Sequence, residues 1–527
     1  MKNLRVPVVG ALAALTLALS ACGGGSDADK SEGGSGSAGE IDRSATLRAT
    51  WVIPAMALDP HTAPSPTAQY AYVAPVYDRL TQMIEGEKGP EIAPMIAESW
   101  EFAEDGMSAT FTLRDDATFT DDSKVDAAAV KASLDRALNS PKSTVKGYLS
   151  MIDKVEVVDP TTLTITTNRP SADLPYVLSN SYGSIINPAA LDNRDLDVKP
   201  QGSGGYVATK VELGKGVTYE RRDGYWDPEA QKVAKIEMSG VPDPNARING
   251  MRGGQADFSL VQPQQYDAVS KLGDGFKLET YSPTGQFYAL ELNTNAPNLN
   301  KVEVRQALNY AIDREGISES LLDGQAPDAI QPLSKNLEGH LEDPPVKYDY
   351  DPAKAKALLA DAGLADGFSM TMVAGAYSPV TEMAQALQAQ LAEVGVELKI
   401  SPLDPVQAVA AWGPDTKYDS TLQVRVGSQT GALTLQNNYL VPTRFVGEVP
   451  AEVRESIDGA FDPTIDDAER VALLETASKA INEQALDVFM NQVPSLVVTT
   501  DKVVGADKMG QAGFQGIFDL RYVGIAK

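Results

Sequence analysis

Apolar positions along this chain of 527 residues change period repeatedly, from strict alternation to helical spacing and back. Residues 163–167 (LTITT) alternate with period 2, as do 110–113, so the stretch 98–167 is expected to include a partly antiparallel subdomain. Helical segments are marked by their punctuation. Asp351-Pro352 supplies an N-cap and a first-turn proline, 353–362 are good helix formers, and Gly363 gives the left-handed stop. Asp126 likewise opens a helix over 127–138, and Asp466 one that runs to about 483. The helix predicted at 381–394 stops at Gly395 and hands over to a strand at 396–400. Between 242 and 260, a helix ended by Gly253-Gly254 precedes a short strand at 257–261, and Pro263 starts another helix. Such alternation indicates an α/β architecture, in which ligands gather at the carboxyl ends of strands. No internal repeat is evident.

The N-terminal pattern is of a different kind. Lys2 and Arg5 precede an apolar run at 6–19, too short for the roughly 20 residues that span a bilayer. Leu19-Ser20-Ala21-Cys22 follows, and Cys22 is the chain's one cysteine. The arrangement reads as a lipoprotein signal: residues 1–21 are removed and Cys22 is the lipid attachment point. An ordinary secretory signal with a chance cysteine is the alternative. Residues 23–40 (GGGSDADKSEGGSGSAGE) have nothing to bury, so 22–45 is expected to be a flexible linker. The G-x-G-x-x-G match inside it has no strand before it and no helix after it, and is rejected.

Composition narrows the function. The formal charge of −27 becomes −29 once Lys2 and Arg5 leave (−27 − 2), which disfavours nucleic acid and anionic headgroups as partners. One cysteine excludes an intrachain disulfide, and two histidines, His61 and His340, give little material for a zinc site or a catalytic triad. No nucleophile elbow, zincin or P-loop motif occurs. The expectation is a binding protein without catalytic residues, metal or cofactor.

Several motifs carry a family resemblance. Leu58-Asp59-Pro60-His61 and the long block 91–138 (EIAPMIAESWEF…VKASLDRAL) resemble the extracellular solute-binding proteins of family 5, the dipeptide- and oligopeptide-binding partners of ABC importers. So do GSGGY at 202–206, RRDGYWD at 221–227, VRQALNYAIDRE at 304–315, YDPAKAKALLADAG at 350–363 and QLAEVGVELKI at 390–400. The resemblance implies a two-lobed periplasmic-binding-protein-like fold of type II, with an extra subdomain and a two-segment hinge. Lobe one would comprise 46–80, 202–291 and 494–527, the extra subdomain 81–201, and lobe two 292–493. The chain would cross between lobes near 290–295 and 493–500. Trp100 and Trp226 are expected to pack in cores. Arg305, Asn309 and Arg314 are expected to make structural ion pairs.

The implied function is an extracytoplasmic, lipid-anchored monomer that captures a peptide or related small solute and delivers it to permease and ATPase subunits. A sensor for a membrane signalling partner, or a surface hydrolase with paired carboxylates, is the alternative. By the resemblance, Tyr70 would line the mouth of lobe one and the segment 281–288, with Gln286 and Tyr288, a second wall. In lobe two, 417–432 departs from the family's acidic loop and offers Arg425, Ser428 and Gln429 instead. A guanidinium grips a carboxylate bidentately and repels an ammonium, which puts simple dipeptide recognition in doubt. Arg425 is a candidate for that grip, with a salt bridge inside the lobe as the alternative; Trp412 offers a stacking surface, with packing as the alternative.

Overall fold

The computed structural model describes residues 40–527 apart from 87–88, 282–284, 426, 429, 510, 513–515 and 518. Cys22, the signal segment and most of the linker lie outside the described residues. Two large sheets organise the rest. The first has seven strands in the order Phe276–Tyr281, Ser495–Thr500, Phe258–Val261, Thr46–Trp51, Lys235–Gly240, Gly216–Arg221 and Tyr206–Glu212. Its central strand Thr46–Trp51 is parallel to both neighbours, and the remaining pairings are antiparallel. The second sheet has five, ordered Val396–Leu403, Phe368–Gly375, Ser420–Arg425, Phe287–Leu292 and Asp487–Gln492. These are the two lobes.

A third, four-stranded antiparallel sheet forms the extra subdomain, with Ala97–Phe102, Ser108–Leu113, Thr162–Thr167 and Ile152–Asp159 side by side. The two alternating segments of the sequence pair directly with each other here. Leu163 and Ile165 point into a core shared with Phe111, Val130 and Leu134, each burial contributing about 1.5–3 kcal/mol. The expected caps are present. Asp126, Asp351 and Asp466 each accept the backbone N–H three residues on, from Ala129, Lys354 and Glu469.

The chain passes between the large sheets twice: the strand Phe276–Tyr281 belongs to the first and the next strand, Phe287–Leu292, to the second, and the return is at Val493-Pro494. Val493 N–H donates to the Gln286 carbonyl at 2.9 Å, so the two crossings are bonded to each other. The first crossing differs from the expectation near 290–295. Phe287–Leu292 is paired on both sides within the second sheet and fully buried, so lobe two begins before it. A strand that is apolar apart from Glu291 (FYALEL) fits the middle of either sheet, and periodicity does not choose between them.

The arginines of the helices Val302–Tyr310 and Arg314–Leu321 also differ from expectation. Arg305 and Arg314 are buried without a carboxylate partner among the described residues, and bond backbone carbonyls instead. Arg305 reaches Leu299, Gln484 and Ala485; Arg314 reaches Asn309, Ile312, Tyr348 and Phe489. They act as pins between helices and loops of lobe two. Burial lowers the pKa of Arg314 to about 10, which leaves it charged at neutral pH. Trp100 and Trp226 pack on the subdomain core, as expected, and the Arg114 guanidinium lies 3.6 Å from the centre of the Trp226 ring.

Candidate functional site

A cavity of about 760 Å³ lies between the extra subdomain and lobe two, a size suited to a small solute. The subdomain wall comes from 147–151, 168–169 and 176–182, with Thr67 beside it; the facing wall comes from Gln286 and from segments between 427 and 458. The charge on these walls opposes that of the whole molecule. Arg169, Arg444 and Arg454 line the cavity against one lining carboxylate, Asp458, among the described residues. Arg169 is held by Asp173 at 3.0 Å and lies 4.2 Å from the centre of the Phe461 ring. Arg444 and Arg454 form no ion pair among the described residues, so two guanidinium groups are left for a ligand.

The lobe-two wall is built on a buried charge cluster. Arg425 is 1% exposed at the end of the strand Ser420–Arg425. Its Nε donates to Asp487 Oδ2 at 3.1 Å and its Nη2 pairs with the other oxygen of that carboxylate, while Glu291 lies 3.5 Å away. Tyr439 donates its hydroxyl to Asp487 at 2.8 Å. The remaining Arg425 N–H groups hold the carbonyls of Asn438 and Arg444, both at 3.0 Å. The cluster therefore fixes the backbone from which the Arg444 side chain leaves. Two carboxylates share one guanidinium here, and burial, with the like charge of Asp487, pushes Glu291 up to about 7.

Local sequence explains the rest of this wall. Thr430 Oγ1 accepts the Leu433 N–H and starts the short helix Gly431–Leu435. That helix widens into a π-helical turn, Gln436–Leu440, which presents Gln436, Asn437 and Leu440 to the cavity; such turns recur at functional sites. Ser428 N–H donates to Thr434 Oγ1, and Asn437 Nδ2 to Ser428 Oγ.

On the opposite wall the LDPH motif has a structural task. Arg136 grips the Asp59 carboxylate with two bonds of 3.0 and 2.6 Å and reaches His61 Nδ1 at 3.0 Å. Burial first, then the Arg136 charge, lowers His61 to about 4, so it is neutral at physiological pH. The His61 and Ala63 carbonyls accept from Thr144, tying down the loop that carries Tyr148 into the cavity wall.

The structure brings two of the sequence candidates, Gln286 and Ser428, to the cavity. Four others lie elsewhere. Tyr70 is 2% exposed in the core of lobe one, with Arg79 over its ring. Tyr288 belongs to the lobe-two core and faces a small void at the crossings. Trp412 packs with Val373, Ala408 and Val446 and donates its indole N–H to the Arg444 carbonyl at 3.5 Å. Arg425 takes the alternative role, the salt bridge inside the lobe, because two buried carboxylates already neutralise it. Gln429 lies outside the described residues. Sequence reasoning missed Arg169, Arg444, Arg454, Tyr148 and Tyr182, single polar or aromatic residues in segments without a distinguishing pattern.

Residues 91–446 match the profile of the bacterial extracellular solute-binding proteins, family 5. Among curated relatives, the glutathione-binding protein GsiB of Salmonella paratyphi A is 28% identical over 470 residues, covering 87% of this chain and 89% of GsiB. Among solved structures, NikA from Brucella suis in complex with Fe(III)-EDTA superposes with a TM-score of 0.79 at 25% identity, covering 91% of this chain and all of NikA. AgaA from A. tumefacien R10, in complex with agropinic acid, gives 0.75 at 27% identity, covering 92% and 99%. Members of the family are extracytoplasmic proteins that deliver solute to an ABC permease and ATPase, and are not enzymes. The cavity between lobes, with arginines facing a ligand-sized space, fits that task, and the chain belongs to the bacterial extracellular solute-binding proteins, family 5, as the substrate-binding component of an ABC importer.

Proposed function

We propose that this protein captures a small carboxylate-bearing solute, of peptide or related type, in the cavity between its lobes. The observation that carries the reading is the pair Arg444 and Arg454, free of ion pairs among the described residues and placed in the cavity of a strongly acidic chain. A guanidinium matches a carboxylate bidentately, and a hydrogen bond to a charged group contributes about 1.5–3 kcal/mol. Glutathione, agropinic acid and EDTA, bound by the relatives and structural neighbours, all carry carboxylates. Asp458 lies four residues after Arg454 on the helix Ala451–Gly459 and offers an ammonium the partner that the sequence lacks after Asp419 in the departing loop.

The mechanism needs no chemistry on the solute. A ligand that touches both walls favours the closed arrangement by the difference in its affinity for the two states, and the importer's ATPase supplies the transport energy. Anchoring through a lipid on Cys22 would keep the monomer beside its permease, on a tether shorter than the expected 22–45, because Ile41 pairs with Ala526 and the Asp42 N–H donates to the Ile525 carbonyl at 2.8 Å. Native mass spectrometry of protein purified from its own host tests the reading. A retained carboxylate-bearing solute, lost on Arg454→Gln, is expected; a retained solute with no acidic group refutes it.

A further inference from the structure

The subdomain wall of the cavity carries two aromatic rings that an anion site does not use. Tyr148 and Tyr182 lie with centroids 4.8 Å apart and planes 4° from parallel, an offset stack. Both line the cavity, yet they are exposed very differently. Tyr182 is 8% exposed and forms part of the subdomain core, whereas Tyr148 is 45% exposed. One face of the Tyr148 ring is covered by its partner, and the ring remains half-exposed where it lines the cavity.

An exposed tyrosine is commonly no more than surface, so the support beneath it matters. The loop behind Tyr148 is fastened at successive positions. Ser143 Oγ donates to the Ala137 carbonyl and accepts the N–H groups of Val145 and Lys146. Thr144 is bonded to His61 and Ala63, and Tyr148 N–H donates to the Val145 carbonyl at 3.0 Å. Stacked on a buried ring and carried by a tied loop, Tyr148 is placed before any ligand arrives, so little ordering entropy opposes a further stack. The charges lining the same cavity select what can stack there. Arg169, Arg444 and Arg454 repel a cation, leaving neutral or anionic flat groups.

We propose that Tyr148 is a stacking platform for a flat conjugated ring, so that the solute class is a ring-bearing carboxylate. The inference rests on the reading of the cavity as an anion site. The ring lies on the subdomain wall and the carboxylate on the lobe-two wall, so one ligand makes both contacts only by bridging the cleft.

The test uses matched pairs in which the same acid carries a flat aromatic ring or its bulkier, more apolar saturated counterpart: hippurate against cyclohexanecarbonylglycine, and glycylphenylalanine against glycylcyclohexylalanine. Thermal shift and calorimetry are run on the full protein and on Tyr148→Phe, Tyr148→Leu and Arg454→Gln. The aromatic member of a pair is expected to bind about tenfold more tightly, a preference kept by Tyr148→Phe and lost by Tyr148→Leu. Equal responses to both members of every pair, zero included, overturn the proposal, as does a preference that survives Tyr148→Leu. Arg454→Gln separates the two readings. If it weakens both members while Tyr148→Leu changes neither, the anion site stands and the platform falls; if it changes neither member, the anion site itself is refuted.

Discussion

Replacing Glu291 with glutamine probes the charge cluster beneath the cavity through the pH dependence of stability. Glu291 is 1% exposed, and burial raises its carboxyl from an ordinary 4.5 to about 7. Between those values the folded protein holds a proton that the unfolded chain has lost, so stability falls as pH rises through the window and levels off above it. A shift of about 2.5 units at 1.36 kcal/mol each amounts to about 3 kcal/mol. His61 in the extra subdomain's support has the opposite sign. Its folded pKa drops from 6.5 to about 4, so its contribution is present above 6.5 and is lost as pH falls through 4. Over pH 4.5–6.5 the two slopes oppose each other, so each is isolated by comparing a variant with the wild type. Glu291→Gln, a neutral isostere, is expected to match the wild type at pH 4.5 and to exceed it by about 3 kcal/mol at pH 8. Urea unfolding at both pH values, followed by tryptophan fluorescence, measures the difference, with Trp412 bonded to the backbone of the same cluster. Equal stability at both pH values, or a less stable variant at pH 8, would refute the reasoning.

Other outcomes follow from the same geometry. Arg425→Met leaves Asp487 and Glu291 buried without their cation and is expected to cost about 3–5 kcal/mol in urea unfolding; a loss below 1 kcal/mol contradicts the cluster's role. His61→Gln should remove the acid-side loss, so that its stability relative to wild type rises as pH falls from 6.5 to 4, read by thermal unfolding across that range. Leu163→Ala, in the fully buried centre of the extra subdomain, should cost about 2–5 kcal/mol in the same assay, and a neutral result would mean that this core is not packed as described.

Legibility in the sequence followed the range of the interactions. Asp126, Asp351 and Asp466 cap helices through a backbone N–H three residues away, so the capping signal is complete within one turn. The strands around 110–113 and 163–167 announce themselves by alternation, and their pairing follows because both need the same buried face. Arg425 was ambiguous because its fate rests on Asp487, 62 residues away in sequence, and on Glu291 in another strand. Nothing local distinguishes a guanidinium that will meet two buried carboxylates from one that will meet a ligand. Arg444 and Arg454 were passed over for the converse reason. Each is a lone cation in an unremarkable segment, and only the fold turns both toward one cavity. Tyr70 and Tyr288 differ from expectation because an aromatic ring satisfies a core as readily as a cleft, and here the core takes both.

The central claim, that this binding protein holds its solute by a carboxylate, is tested most directly by calorimetry with the solute recovered from the purified protein. The wild type is compared with Arg444→Gln and Arg454→Gln. Each variant is expected to weaken binding about 10- to 100-fold, from loss of a charged hydrogen-bonding partner, with folding unchanged by circular dichroism. Unchanged affinity in either variant would contradict the account.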